Sequence, residues 1–254
     1  MTGRLEDKVA LVTGGGSGIG RASALAFARG GARVVIVDVN VAGGGETVKM
    51  IEEAGGEAIF VKADVINAAE VEESINKAIK TYGQLNCAFN NAGGGGEIAT
   101  VTECTKENWD YVINVHLTGV WLCMKYEIPE MLKRGGGAIV NTASMFGLVG
   151  EDTGMPAYTA AKHGVVGLTK AAALEYAKDN IRVNAVCPGT IRTPASARLM
   201  AQDPQAEETL IALHPIGRLG NPSEVAEAVV WLCSDEASFV TGLAMAVDGG
   251  YTAQ

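Results

Sequence analysis

The sequence predicts a doubly wound α/β fold, a parallel sheet of about seven strands with helices on both faces, in a single domain over residues 1–254. Three observations predict it. Short β-branched runs alternate with longer stretches of helical periodicity along the whole chain. The runs are nearly continuously apolar, as strands are when both faces of their sheet are covered. No linker or break in composition divides the 254 residues, a length that suits one large domain.

The elements follow in order. The first run, 8–13, leads into a glycine-rich turn at 14–20 and a helix over 18–29. The runs at 33–37 and 58–61 precede helices over 41–54 and 68–82. The fourth, 86–89, is followed by glycines at 93–96 and one long helix over 106–134. The fifth, 138–141, passes through an irregular segment at 143–156 into a helix over 156–178, which Pro156 is suited to open. The sixth, 181–186, precedes a long Gly/Pro-rich segment at 188–220 with a short helix near 195–201. A helix over 222–234 and a strand at 244–247 complete the pattern. Repeated β-α-β units make the strands parallel and the crossovers right-handed. In such a sheet ligands bind beyond the carboxyl ends of the strands, so the irregular segments are expected along one edge. The 188–220 segment is a candidate substrate lid, because long loops in compact domains are mostly functional.

Composition narrows the function. Twenty basic against 29 acidic residues leave a net charge of −9, which argues against general nucleic-acid or anionic-membrane binding. The five cysteines form no Cys-x-x-Cys pair, and the three histidines lack metal-ligand spacing, so free thiols and no protein-built metal site are expected. The charged first residues and the absence of an apolar run near 18 residues predict a soluble, cytoplasmic protein.

The turn Thr13-Gly14-Gly15-Gly16-Ser17-Gly18-Ile19-Gly20 opens directly into a helix. Glycines there let bare amides approach a pyrophosphate at a helix N-terminus. Asp38, 18 residues after Gly20, ends the second strand where a carboxylate would receive the adenosine ribose hydroxyls. A carboxylate would repel a 2′-phosphate, and no Arg or Lys lies in 14–20 or 38–44 to neutralise one. NAD is therefore expected over NADP. Farther on, Tyr158 and Lys162 are four residues apart and share a helix face. An ammonium beside a phenol stabilises the phenolate; lowering the phenol by about three units takes roughly 4 kcal/mol.

With Ser144 beyond the fifth strand, Asn114 in the long helix, Asn90-Asn91-Ala92-Gly93 after the fourth strand, Pro188-Gly189 and Asp248-Gly249-Gly250, the chain resembles the short-chain dehydrogenase/reductase family from end to end. The resemblance implies a Rossmann-type sheet and hydride transfer between a nicotinamide cofactor and a secondary alcohol or ketone. It implies Tyr158 as acid/base, Ser144 as partner of the substrate oxygen, and Lys162 as the group that lowers Tyr158 and binds the nicotinamide ribose. Asn114 would hold a proton-relay water. Gly14, Ser17, Gly18, Ile19 and Gly20 would cradle the cofactor with Asp38; Asp64 and Val65 would flank adenine, Asn90 and Gly93 the adenosine ribose, and Ala92 would also bind the cofactor. Pro188, Gly189, Ile191 and Thr193 would complete the nicotinamide side, Ile191 and Thr193 at the carboxamide. Asn86 stands where the family often has Asp, and the 14 residues from Ser144 to Tyr158 are about one more than the family spacing. Met145, Phe146 and Met155 are read as walls of a largely apolar substrate pocket, Cys187 as a buried small hydrophobe and His214 as a packing residue. Phrases such as 120–126 and 237–242 resemble members that oxidise cyclic diols and hydroxylated rings. Helices 106–134 and 156–178, apolar on more than one face, fit the homotetramer that the resemblance implies. A non-catalytic NAD-sensing protein and a sugar-nucleotide epimerase or dehydratase remain the alternatives on this fold.

Overall fold

A computed structural model of the chain describes residues 3–201 and 205–254. Seven strands form one sheet: β1 (Val9–Thr13), β2 (Arg33–Asp38), β3 (Ala58–Lys62), β4 (Cys87–Asn90), β5 (Gly137–Thr142), β6 (Ile181–Pro188) and β7 (Ala244–Val247). Their order is β3-β2-β1-β4-β5-β6-β7, and every neighbouring pair is parallel. The winding reverses between β1 and β4, which places a crevice at their carboxyl ends.

Strand periodicity divides the core in two. Val9, Leu11, Val35 and Val37 point to one face and pack with Val71, Ile75, Val120, Met124 and Val165. Those partners come from α3 (Ala68–Tyr82), α5 (Gly119–Leu132) and α6 (Pro156–Tyr176). The intervening Ala10, Val12, Val34 and Ile36 point to the other face, against Ala24, Phe27, Ile51, Val225 and Val229. These belong to α1 (Gly18–Arg29), α2 (Val41–Glu53) and α9 (Pro222–Cys233). Burying a large apolar side chain such as Phe27 or Leu11 contributes about 1.5–3 kcal/mol, so both layers hold the sheet.

The long helix expected over 106–134 is broken. Helix α4 (Lys106–Ile113) runs into a π-helical turn, Asn114–Thr118, before α5 begins. A π turn inserts a residue and re-aims side chains, often at functional sites. At its end a Cβ on Gly119 would lie 2.8 Å from Val65 Cγ2, so the helix crosses the end of the sheet closely there. In the candidate lid, α7 (Pro194–Met200) corresponds to the expected short helix, and α8 (Ala206–Ala212) is additional. Positions 202–204 lie outside the described residues. The lid's ends are joined by a bridge between Ile191 and Gly220, and Arg192 is ion-paired with Glu207 of α8 at 2.7 Å. Asn86, the departure at β4, accepts a hydrogen bond from Val9 N at 2.8 Å and so ties β4 to β1. No described helix is long and apolar enough to cross a membrane.

Candidate active site

Two cavities meet along the carboxyl edge of the sheet. The first is lined by Gly14, Ser17, Gly18 and Ile19 from the glycine turn, Asp38 at the tip of β2, Asp64 and Val65 after β3, and Ala92 and Gly93 after β4. Gly14 and Gly18 take positive φ (64° and 52°), and a Cβ on Gly14 would press on Ala92 Cα at 2.9 Å. Ser17 caps α1 without a side-chain hydrogen bond, so the first-turn amides keep their donors for a ligand. Asp38 is held in place by two amides, Gly16 N and Asn40 N, each donating to it at 2.8 Å. Glycines where side chains would fill the trough, free amides and a fixed carboxylate fit a dinucleotide. Arg21, just beyond the turn, is turned away: its guanidinium donates to Gly16 O, Gly43 O, Thr47 Oγ1 and Glu46. No Arg or Lys occurs among the described residues lining this cavity.

The second cavity, about 430 Å³, shares Ile19, Gly94, Thr193 and Ala195 with the first, so the two form one trough. Its walls include Ser144, Met145, Phe146, Met155, Tyr158, Pro188, Gly189 and Ile191. All three residues expected as apolar wall therefore face the same space as Ser144 and Tyr158. Ser144 reaches it as the N-cap of a 3₁₀ turn, Met145–Gly147, directly after β5, and its hydroxyl accepts from Phe146 N. Tyr158 reaches it from the first turn of α6, which Pro156 opens. The longer loop between them is organised by Glu151, whose carboxylate accepts from Thr153 N, Thr153 Oγ1 and Met155 N.

Electrostatically the cluster is dry. Burial raises the Tyr158 phenol above its ordinary value, and hydrogen bonding to Ser144 works partly against that. Lys162 is buried behind it, with Nζ 5.5 Å from the Tyr158 ring centre and donating to Thr142 O at 2.6 Å. Desolvation brings Lys162 down to about 7. The expected lowering of the phenol is therefore not produced by the chain's own groups, because desolvation of the phenolate outweighs the attraction it meets. Cys187 is buried and its thiol is raised to about 11, chiefly by desolvation, as suits a small hydrophobe. His214 is also buried, with Nε2 accepting from Thr190 N at 3.0 Å and Nδ1 bonded to Leu210 O at 2.7 Å, a packing role within the 188–220 segment.

Four expected residues are not in the cavity walls. Asn114 is exposed, and its carbonyl oxygen accepts from Thr118 Oγ1 at 3.4 Å. Within the π turn it is His116, not Asn114, that is buried. His116 is buried, edge-on to Tyr158 with ring centres 5.0 Å apart, and its Nε2 is 2.6 Å from Gly94 O. Desolvation and the Lys162 charge hold it down to about 3, so the ring is neutral; Nε2–H then donates to Gly94 O, and Nδ1 is left as an acceptor with no partner among the described residues. A Cβ on Gly93 would be 2.9 Å from its Cε1. Sequence reading missed His116 because an unbroken helix gives no reason to prefer it over Asn114. Asn90 is turned into the core, donating to Glu127 and Asn141 at 3.0 Å each, because parallel pairing of β4 with β5 sets it beside Asn141. Gly20 packs beneath the turn, where a Cβ would collide with Gly14 O at 2.1 Å. Lys162 stands behind the wall, not in it.

This combination of a parallel sheet, glycine trough and Ser/Tyr/Lys cluster defines a nicotinamide-dependent oxidoreductase, and the chain belongs to the short-chain dehydrogenase/reductase family. A family model described as "Enoyl-(Acyl carrier protein) reductase" matches residues 14–252. The chain is 48% identical over 254 residues to cyclohexanol dehydrogenase of Acinetobacter sp. (strain SE19), covering 100% of this chain and 98% of that one. It is 44% identical over 250 residues to 2,5-dichloro-2,5-cyclohexadiene-1,4-diol dehydrogenase of Sphingobium indicum (strain DSM 16412 / CCM 7286 / MTCC 6364 / B90A), covering 98% of each. Its fold is similar to the crystal structure of levodione reductase, with a TM-score of 0.94 at 38% identity over 98% of this chain and 99% of that one. The chain is thus an oxidoreductase acting on secondary alcohols or ketones, and the resemblance to ring-alcohol dehydrogenases read from short phrases agrees with these relatives.

Proposed function

We propose that the protein is an NAD(H)-dependent dehydrogenase of neutral cyclic secondary alcohols, with Tyr158 as the general acid/base. One observation carries the reading: Ser144 and Tyr158 share the wall of a mostly apolar cavity that opens into the glycine trough. Bound there, the nicotinamide ring supplies hydride acceptance and return at the substrate carbon. Everything else falls to the chain. The Ser144 hydroxyl orients the substrate oxygen, and Met145, Phe146 and Met155 shape the space around the ring. Tyr158 Oη takes the alcohol proton during oxidation and returns it during reduction. Its raised pKa keeps the phenol protonated, so the proton that a ketone oxygen receives is in place. Oxidation needs the phenolate, which the Lys162 ammonium favours from behind the ring, together with the positive charge of an oxidised nicotinamide. His116, in place of Asn114, braces the phenol and the Gly94 carbonyl.

The trough supports assigning the pyrophosphate to the amides of Gly14–Gly20 at the start of α1, and the adenosine ribose to Asp38. Asp64 and Val65 would flank adenine, Ala92 and Gly93 the ribose, and Ile191 and Thr193 the carboxamide beside Pro188 and Gly189. Asp38 without a neighbouring free cation favours NAD over NADP, because a 2′-phosphate would face a carboxylate. The whole chain acts as one catalytic domain, with 188–220 as its lid. Exposed apolar side chains on α5 and α6 support a homotetramer, and four buried unpaired cysteines suit the reducing cytoplasm.

Steady-state assays with cyclohexanol, cyclic diols, aryl ketones and acyl-thioester ketones, each with NAD and NADP, test the reading. Ring alcohols with NAD are expected to be the best pair, and net dinucleotide reduction sets this activity apart from NAD sensing or epimerisation. Tyr158→Phe is expected to keep dinucleotide affinity while losing about 100-fold or more in kcat. Retained turnover in that variant, or efficient turnover of thioesters alone, overturns it.

A further inference from the structure

Among the described residues lining the substrate cavity, Glu97 is the one that carries a charge; the others are apolar, hydroxyl or amide groups. Its backbone is fixed at the cavity wall even though the residue is exposed. Asn108 clamps its backbone on both sides: Oδ1 accepts from Glu97 N at 2.9 Å and Nδ2 donates to Glu97 O at 3.1 Å. The preceding Gly96 has no slack, since a Cβ there would stand 2.5 Å from Val112 Cγ2. Two residues on, Ala99 N bonds Gly154 O at 2.8 Å and straps the strip to the loop before α6. Among the described residues the Glu97 carboxylate has no hydrogen bond or ion pair, so its charge is not offset locally. Lys106 pairs with Asp110, Arg192 with Glu207, and Lys162 lies behind the wall on Thr142 O.

A substrate carboxylate entering this cavity would meet the like charge of Glu97 and no Lys or Arg of the chain among the described lining residues. It would also lose hydration without a replacement partner. A neutral ring alcohol meets neither cost. We propose that Glu97 sorts ring substrates by charge: the site takes neutral cyclic alcohols and ketones and rejects those whose ring bears a carboxylate. The proposal rests on the reading that this cavity holds the ring, and it adds a named specificity residue to it.

The test compares kcat/KM for cyclohexanol and for cis-4-hydroxycyclohexanecarboxylate, with NAD, in the wild-type protein, Glu97→Gln and Glu97→Lys. The wild type is expected to favour the neutral alcohol strongly. Glu97→Gln should narrow that ratio by about tenfold, mainly through the KM of the carboxylate, as removal of a like charge from a half-open cleft predicts. Glu97→Lys, which supplies a counter-charge, should narrow it further. Raising salt to about 0.5 M should compress the wild-type ratio more than that of Glu97→Gln, which lacks the local charge to be screened. A wild-type ratio near one, or an unchanged ratio in both variants, overturns the sorting while leaving ring-alcohol oxidation intact. If the wild type oxidises neither compound nor any other ring alcohol, the functional reading itself falls and the sorting falls with it.

Discussion

His116 and Asn114 stand two positions apart in the chain and have opposite environments. Asn114 is exposed, and His116 is wedged between the Gly94 carbonyl and the Tyr158 ring. Asn114→Ala is accordingly expected to retain kcat within about threefold, as exposed substitutions generally do. His116→Ala should lower kcat and raise the KM for dinucleotide, together costing about tenfold or more in kcat/KM, the scale of an orphaned buried carbonyl. His116→Asn, which keeps one donor for Gly94 O, should recover part of the loss. Parallel kinetics on the three variants decide it: a large loss in Asn114→Ala, or none in His116→Ala, overturns the exchange of roles. Residue types at this site were legible in sequence, for Ser144, Tyr158 and Lys162 alike. Direction was not, because which side of a helix faces the cavity depends on a π turn that local propensity does not encode.

Helix α5 carries a second consequence of packing. Glu127 is fully buried, accepts from Asn90 Nδ2 at 3.0 Å, and has Oε1 without a partner among the described residues. Burial pushes its carboxyl up to about 7. A carboxyl raised in the folded state holds its proton there after the unfolded chain has released it. Its stabilising contribution is complete below its ordinary value near 4.5 and is lost as pH rises towards about 7. Lys162 and His116, both lowered, slope the opposite way, so the effect is read as a difference from Glu127→Gln. Chemical denaturation at several pH values between 4.5 and 8 should show the stability of the wild type falling relative to that variant as pH rises; parallel curves would refute it. The strands themselves were readable because apolar continuity reports burial on both faces. The network of Asn90, Glu127, Asn141 and Thr169 was not, since it depends on strand register and on a helix far away in sequence.

At the scale of the whole molecule, apolar groups remain on the outside. Trp121 and Leu132 on α5, Leu174 on α6, and Phe239 near the carboxyl end are exposed, Leu174 at 83%. Scattered exposed hydrophobics are ordinary, but those on helices already apolar on their inner side suit burial by further copies of the chain. Sedimentation at micromolar concentration is expected to give four times the chain mass, and Leu174→Arg combined with Trp121→Arg to give smaller species. A wild-type monomer under those conditions would refute the assembly.

The sequence by itself determined the class of fold, the position of the glycine turn, and the residues Asp38, Ser144, Tyr158 and Lys162, because each rests on local pattern: strand periodicity, backbone freedom, or helical spacing. Tertiary structure alone decided that Asn114 faces outward and His116 inward, and that Asn90 serves the core. It also set Lys162 behind the pocket wall and left Glu97 as the one charge among the described residues that line the pocket. These depend on which surfaces distant segments bring together, and on how much water they exclude, and neither is written in the order of neighbouring residues.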